Sequence, residues 1–289
     1  MKGLTAQNCI WRPMTRTLVV AAVSTVPAAA AAQQADSATP PAPSTTARPE
    51  PAKDSDSSFD ANIGASLASD YNYRGYTLSD HRPSVSTNIE ATYKSFFLGT
   101  NAASVQIPML SQLQMTNYAG LRPVFGSLTV ETGIAYFSYP GSAIDTSYPE
   151  VYIAPSYAVT PKLKVGLSAY YAPDYSRTGA WENYDSINAK YTFDSGVAVS
   201  GEFGHQSFGT TKATPTAAAY KIPDYAYWNF GASYTYKALT FDLRYFATTL
   251  SKQSCFLITG TGQAGIGSNG CAPAIIGTLS WNINLAGLK

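Results

Sequence analysis

The stretch FDANIGASLASDYNYR, from Phe59 to Arg74, decides the fold because apolar and polar residues alternate along it. Apolar side chains occupy most odd positions, while polar side chains and glycine occupy most even positions. Successive side chains of a β-strand point to opposite faces of the sheet, so this period of two predicts a strand with one apolar and one polar face. The predicted strand covers 59–73, which is far longer than the usual strand of about 5–6 residues.

The same alternation recurs along the chain and predicts twelve strands. They cover 59–73, 83–93, 96–107, 112–123, 127–139, 148–158, 162–173, 183–193, 196–207, 225–236, 239–250 and 273–284. The alternation is poor in 96–107, and the facing of that strand stays undetermined. Short turns such as Lys94-Ser95 alternate with longer loops such as 251–272, which is typical of outer-membrane barrels. The sequence therefore predicts an all-β fold, a transmembrane antiparallel up-and-down β-barrel of about 12 strands.

Composition supports this fold class and excludes others. Only 13% of the residues are charged and 45% are apolar, yet the mean hydropathy is -0.09, so the two kinds are finely mixed. The net charge of +1 gives no electrostatic basis for binding nucleic acid. No segment is long and apolar enough to form a spanning helix of about 20 residues. A soluble β-sandwich or lipocalin-like barrel is the alternative, and it would keep its apolar face inward.

Aromatic residues provide a further test, since a membrane barrel carries an aromatic belt at each interface. We expect one belt near the long loops, formed by Tyr71, Tyr73, Tyr136, Tyr139, Tyr171, Tyr227, Trp228 and Tyr245. We expect the other near the short turns and the termini, formed by Tyr93, Phe97, Tyr191, Phe193, Tyr234 and Trp281.

The N-terminal part of the chain predicts export and a three-part organisation. A basic start, the apolar run Thr17–Val26 and the small residues Ala30–Ala32 are typical of a secretory signal peptide over 1–32. The segment 33–58 is rich in Pro, Ser and Ala and is predicted to be a disordered periplasmic tail. The barrel is predicted over 59–289, and the expected location is the bacterial outer membrane.

Two cysteines and one glycine-rich motif lie near the C-terminus. Cys255 and Cys271 form an even pair in an exported chain, so a disulfide is expected between them. No His or Cys stands at metal-ligand spacing beside them, and no metal or cofactor is expected. GTGQAG, from Gly260 to Gly265, matches a dinucleotide fingerprint, but no strand and helix flank it, so we interpret the match as accidental.

The polar face of the strands carries charges of both signs and predicts a polar lumen. The pore-lining candidates are Asp70, Arg74, Glu90, Arg122, Glu131, Glu150, Lys164, Lys190, Glu202, Asp242 and Arg244. Arg122 and Glu131 flank a turn and are expected to pair diagonally across the hairpin. The pattern favours a channel for passive diffusion of ions or small polar solutes. The alternative is a non-conducting structural or surface-interaction barrel with a disulfide-restrained extracellular loop and a lumen filled by salt bridges.

The expected partners follow from this interpretation. They are outer-membrane lipids and small polar solutes or ions, with no nucleic acid, and a homo-oligomer stays open as an alternative. His205 and Ser207 could act as base and nucleophile of a membrane hydrolase if a third polar group oriented the histidine. No orienting Asn or Asp can be assigned from the sequence, so no enzymatic activity is predicted.

The stretch that follows the first strand resembles the N-terminal signature of the TorF-family porins of proteobacteria. The matching residues are Ser69-Asp70-Tyr71, Tyr73-Arg74-Gly75, Ser79-Asp80 and Arg82-Pro83. Weaker likeness lies in YFSYPG (Tyr136 to Gly141) and YPEVYI (Tyr148 to Ile153). The resemblance covers the chain from Phe59 onward and implies an outer-membrane barrel with channel activity and no established substrate.

Overall fold

A computed structural model describes residues 59–107, 111–215 and 217–285 of this chain. The predicted signal peptide, 1–32, and the predicted periplasmic tail, 33–58, lie outside the described residues. The part of the chain that is described folds almost entirely into β-strands, joined by turns and loops.

Twelve long strands build the fold within the described ranges. In chain order they are β1 (Phe59–Ala68), β2 (Ser84–Tyr93), β3 (Phe96–Ser104), β4 (Leu113–Leu121), β5 (Leu128–Ser138), β6 (Tyr148–Ala158), β7 (Leu163–Ala172), β8 (Glu182–Thr192), β9 (Val197–Phe208), β10 (Tyr225–Tyr236), β11 (Leu239–Thr248) and β12 (Ala274–Asn284). A helix, α1 (Lys252–Thr259), lies in the loop between β11 and β12. Neither α1 nor the short 3-10 helix Tyr175–Arg177 has the length that a bilayer-crossing helix requires.

The twelve strands close into a barrel in which each strand pairs antiparallel with its neighbours in sequence. Closure comes from β12 pairing with β1, so that Ile63 stands opposite Ile283 on one side and Ile89 of β2 on the other. No strand of the barrel keeps an unpaired edge, which removes the unsatisfied backbone groups that lipid would not tolerate. The predicted antiparallel barrel of twelve strands is confirmed.

The two faces of the barrel wall differ in character as the alternation predicts. Large apolar side chains such as Ile89, Phe230 and Leu279 point outward and are exposed. Their sequence neighbours point inward, and many of these are buried polar residues, among them Glu90 and Ser280. A soluble sandwich or lipocalin-like barrel would show the opposite arrangement, with its apolar side chains inside.

The two ends of the barrel differ in the length of their connections. At the turn end the strands are joined by short segments such as 94–95 and 237–238. At the loop end the connections are longer, and the longest of them is 249–273, which contains α1. Cys255 and Cys271 form the expected disulfide within that loop.

The structure corrects several expectations about aromatic residues. Phe97 of β3 points inward and is fully buried, while its neighbours Phe96 and Leu98 point outward, which gives β3 the facing that its sequence left undetermined. Tyr139 and Tyr227 are also buried inside the barrel, so neither belongs to a belt. Other expected members keep exposed outward positions; these are Tyr136, Tyr171, Tyr93, Tyr191, Phe193, Tyr234 and Trp281.

Candidate functional site: the lumen and its inward hairpin

The segment between β1 and β2, residues 69–83, turns back into the barrel, and we name it the inward hairpin. Two short strands, Asn72–Tyr73 and Tyr76–Thr77, pair around the tip formed by Arg74 and Gly75. Both tip residues have positive φ, +40° and +103° respectively, as a two-residue hairpin of the primed type requires. Gly75 adopts this conformation freely, whereas Arg74 does so at a cost of roughly 1–3 kcal/mol.

The prediction that the first strand extends to residue 73 is therefore wrong. The strand ends at Ala68, and Tyr73, expected in an aromatic belt, is buried inside the lumen. Alternation continues through the hairpin because it also contains short strands, so the period alone does not reveal where the chain leaves the wall.

Asp70 holds the inward hairpin together and is buried rather than lining a water path. Its carboxylate accepts hydrogen bonds from Thr77 Oγ1 at 2.5 Å and Ser79 Oγ at 2.8 Å. Its other oxygen lies 3.0 Å from His81 Nδ1. The backbone N–H of Thr77 also donates to the carbonyl of Gly270, which ties the hairpin to the disulfide loop. These hydrogen bonds hold the inward hairpin together and attach it to the disulfide loop.

Arg74 crosses the lumen and enters a pocket on the opposite wall. Nη2 donates to Glu150 on β6 at 3.0 Å, and Nη1 donates to Glu182 on β8 at 2.5 Å. The guanidinium carbon lies 5.0 Å from the ring centre of Tyr170 and 4.1 Å from that of Tyr184. We name Glu150, Tyr170, Glu182 and Tyr184 the Arg74 cage.

Arg74 and the carboxyl groups of its cage are almost completely buried. The side chains of Arg74, Glu150 and Glu182 are 3%, 0% and 1% exposed, respectively. Gln206 of β9 completes the surroundings, since its amide donates to Glu182 while its own oxygen lies 3.4 Å from Arg74. Water therefore has no path beside the guanidinium in this conformation.

A second polar cluster lies halfway along the lumen. Arg244 of β11 pairs with Asp242 at 3.0 Å and donates to Asn229 at 2.7 Å and to Ser200 at 2.8 Å. Glu202 of β9, on the adjoining wall, accepts hydrogen bonds from three inward groups. These are the hydroxyls of Tyr184 and Tyr227 and the amide of Asn229.

A third cluster lies at the turn end. Arg122 pairs with Glu131 at 2.7 Å and with Glu90 at 3.2 Å, and its guanidinium carbon lies 4.3 Å from the ring centre of Phe97. The predicted diagonal pairing of Arg122 with Glu131 is confirmed. Tyr152 donates its hydroxyl to Glu131 at 3.1 Å, which adds a neighbouring strand to the cluster.

The two lysines among the pore-lining candidates lie close to the same end. Lys164 of β7 and Lys190 of β8 are direct cross-strand partners on the inward face. Lys164 is exposed and Lys190 is partly buried. Side chains at the turn end therefore range from the exposed Lys164 to the fully buried Phe97.

Glu182 is the functional candidate that the sequence analysis missed. The eighth strand was predicted to begin at 183, whereas β8 begins at Glu182 itself. Glu182 is an even number of residues from Tyr184 and Lys190, so its side chain lies on the same inward face. The sequence contained this signal.

His205 and Ser207 face outward near the loop end, and Ser207 Oγ lies 3.2 Å from His205 Nδ1. Asp185 of β8, unassigned from the sequence, stands directly opposite His205 in the register. Its carboxylate is bound instead to the amide of Asn183, the residue opposite Ser207. The structure therefore brings an acidic residue near the pair, engaged in another hydrogen bond.

Loops at the loop end are linked by an exposed ion pair. Arg177 Nη2 lies 2.9 Å from Asp145 Oδ2, which joins the connections after β5 and β7. Hydrogen bonds from Ser147, backbone first, together with the charge of Arg177, hold the pKa of Asp145 below its usual value. GTGQAG, Gly260 to Gly265, follows α1 within the disulfide loop and opens no helix, in agreement with an accidental match.

A protein-family model matches most of the chain. A sequence model described as "Bacterial protein of unknown function (Gcw_chp)" matches residues 52–267. The chain belongs to the Gcw_chp family. The Gcw_chp match includes the inward hairpin, the Arg74 cage and both other polar clusters, while β12 lies entirely beyond its end. No curated protein matches the sequence.

Solved structures with similar folds include two porins and a channel. The KdgM porin has a TM-score of 0.47 at 11% identity, with 77% of this chain and 97% of that chain covered. The NanC porin has a TM-score of 0.45 at 11% identity, with 77% and 97% covered. The CymD monoaromatic hydrocarbon channel has a TM-score of 0.41 at 11% identity, with 78% and 88% covered. These TM-scores are below 0.5, so the solutes of those proteins are not assigned to this chain.

Proposed function

We propose that this Gcw_chp protein is an outer-membrane channel for passive diffusion of ions or small polar solutes through a lumen of mixed charge. The observation that carries the proposal is the division of the closed sheet into an exposed apolar outer face and an inner face that contains many polar and charged side chains among aromatic ones. Such a division suits a bilayer outside and water inside. The likeness to TorF-family porins, the predicted signal peptide and the bacterial outer-membrane location belong to this same proposal.

The inward hairpin defines how such a channel would work. Its tip and the Arg74 cage are buried near the loop end, whereas Lys164 near the turn end is exposed. We expect conduction to depend on displacement of the hairpin, with low conductance while Arg74 stays bound. Mixed charges in the remaining lumen favour passage of small ions of either sign over bulky solutes.

The filled loop end also favours a second candidate, a non-conducting barrel that presents its disulfide loop at a surface. In that case the salt bridges of the lumen serve only to hold the wall together. The two candidates differ in one measurable property, which is the conductance of the barrel once the hairpin is removed.

The experiment uses planar bilayers with the wild-type chain and a variant in which 70–82 are replaced by a short Gly-Ser turn. Ala68 and Ser84 are direct cross-strand partners, so a tight turn can join β1 to β2 without altering the wall. We expect small or infrequent conductance steps from the wild type and larger, stable steps from the variant. Insertion of both proteins without any single-channel step would refute the channel and support the non-conducting barrel.

A further inference from the structure

The Arg74 cage offers more hydrogen-bond acceptors than its occupant uses. It contains two buried carboxylates, Glu150 and Glu182, against one guanidinium. Each carboxylate uses a single oxygen on Arg74, and the second oxygen of each, Oε2, is buried without a hydrogen-bond partner among the described residues. Arg74 Nε is likewise buried without such a partner. An ion pair made for Arg74 alone would engage a carboxylate through both oxygens, which is the stronger geometry.

The cage is a property of the barrel wall, and its occupant is not. Glu150, Tyr170 and Glu182 stand on β6, β7 and β8, three consecutive strands whose pairing fixes their positions. Arg74 arrives from the inward hairpin, on a backbone with positive φ. The wall closes without this segment, because β1 and β2 remain paired as far as Ala68 and Ser84. The guanidinium is therefore equivalent to a ligand that is tethered to the chain.

The chemistry of the cage specifies the class of ligand. Carboxyl oxygens accept hydrogen bonds from a cation, and the rings of Tyr170 and Tyr184 present their faces to a flat cation at 5.0 and 4.1 Å. Desolvation inside the cage strengthens both interactions and excludes anions. Planar or compact organic cations meet these demands, whereas neutral molecules of the same shape do not.

We propose that the Arg74 cage is a binding site for small organic cations of the guanidinium or ammonium type. Arg74 is its intramolecular occupant, and a free cation of this type competes for the cage and releases the inward hairpin. Binding itself does not depend on conduction; only the consequence that such cations are solutes of the barrel rests on the proposed channel. Gln206 supports the site by donating to Glu182.

The test vacates the cage and offers it a free ligand. The Arg74→Ala barrel in detergent is unfolded by heat at a series of increasing millimolar concentrations of methylguanidinium. Methylurea serves as the neutral control of the same shape. We expect a saturable rise of the unfolding midpoint with methylguanidinium only, and no such rise in the Arg74→Ala/Glu150→Gln/Glu182→Gln variant. Equal effects of the two compounds, or of methylguanidinium and sodium chloride, would overturn the proposal.

A second measurement keeps the test decisive if Arg74→Ala does not fold. Hydrogen exchange of the amides in 69–83 is followed in the wild-type protein with each compound. Competition predicts that methylguanidinium speeds exchange in the hairpin at least several-fold and leaves the mid-strand amides of β8 unchanged. Unchanged protection of the hairpin at saturating methylguanidinium would overturn the proposal. Since neither readout involves ion flow, a failed conductance experiment leaves this result independent.

Discussion

Arginine at the centre of the outward face should destabilise the barrel strongly if that face contacts lipid. Ile187 is the sixth of the eleven residues of β8, points outward and is 57% exposed. Its cross-strand partners Leu167 and Phe203 are exposed apolar residues as well. The strand is about 33 Å long, and at the usual tilt it spans roughly 25 Å of depth, so Ile187 lies near the midplane. We expect Ile187→Arg to lower the free energy of unfolding by about 2–4 kcal/mol.

Two matched variants on the same strand separate facing from depth. Asn188 is the next residue, points inward and stands opposite Glu202, so the guanidinium of Asn188→Arg gains a carboxylate neighbour. We expect this variant to stay within about 1 kcal/mol of the wild type. Tyr191 points outward at 37% exposure, about 13 Å further along the strand, near the interface. Tyr191→Arg should cost only about 0–1 kcal/mol.

The assay is reversible urea unfolding of the barrel in lipid vesicles, followed by tryptophan fluorescence. The expected order of destabilisation is Ile187→Arg well above Tyr191→Arg, with Asn188→Arg smallest. A larger loss for Asn188→Arg than for Ile187→Arg would refute the reasoning, because it would mean that the apolar face is hidden from lipid. Equal losses at Ile187 and Tyr191 would refute the assignment of depth.

Three further predictions use the same unfolding assay. Gly120→Ala should cost about 1–3 kcal/mol, since its Cβ would lie 2.2 Å from a backbone carbonyl oxygen. The control Gly277→Ala, whose Cβ would have no atom within 4 Å, should change stability by less than about 0.5 kcal/mol. Similar losses for the two variants would contradict this prediction. Arg122→Ala should cost about 2–4 kcal/mol because it leaves the buried Glu90 carboxylate without its ion-pair partner. The control Lys162→Ala loses an exposed pair and should cost about 0–1 kcal/mol. An Arg122→Ala variant as stable as the wild type would show that the cluster is dispensable. Cys255→Ser opens a loop with a sequence separation of 16 and should cost about 3 kcal/mol, and a reductant should reproduce this loss in the wild type but add nothing to the variant.

The sequence by itself determined the architecture of the wall. Alternation with a period of two fixes which residues share a face, and a face rich in exposed apolar residues requires a closed sheet in lipid. Local separation was enough for the pairing of Arg122 with Glu131, because a tight turn brings residues nine apart into contact. The disulfide between Cys255 and Cys271 followed from cysteine count and compartment.

Only the tertiary structure decided what occupies the lumen. The inward hairpin keeps the alternation of a strand, so its departure from the wall at Ala68 leaves no mark in the period. The contact of Arg74 with Glu182 spans 108 residues and depends on the relative stagger of non-adjacent strands across a closed barrel. The same stagger places the ring of Phe97 against the guanidinium of Arg122. Periodicity tells which way a side chain points, but the depth at which it meets another is set by the register of every strand between them.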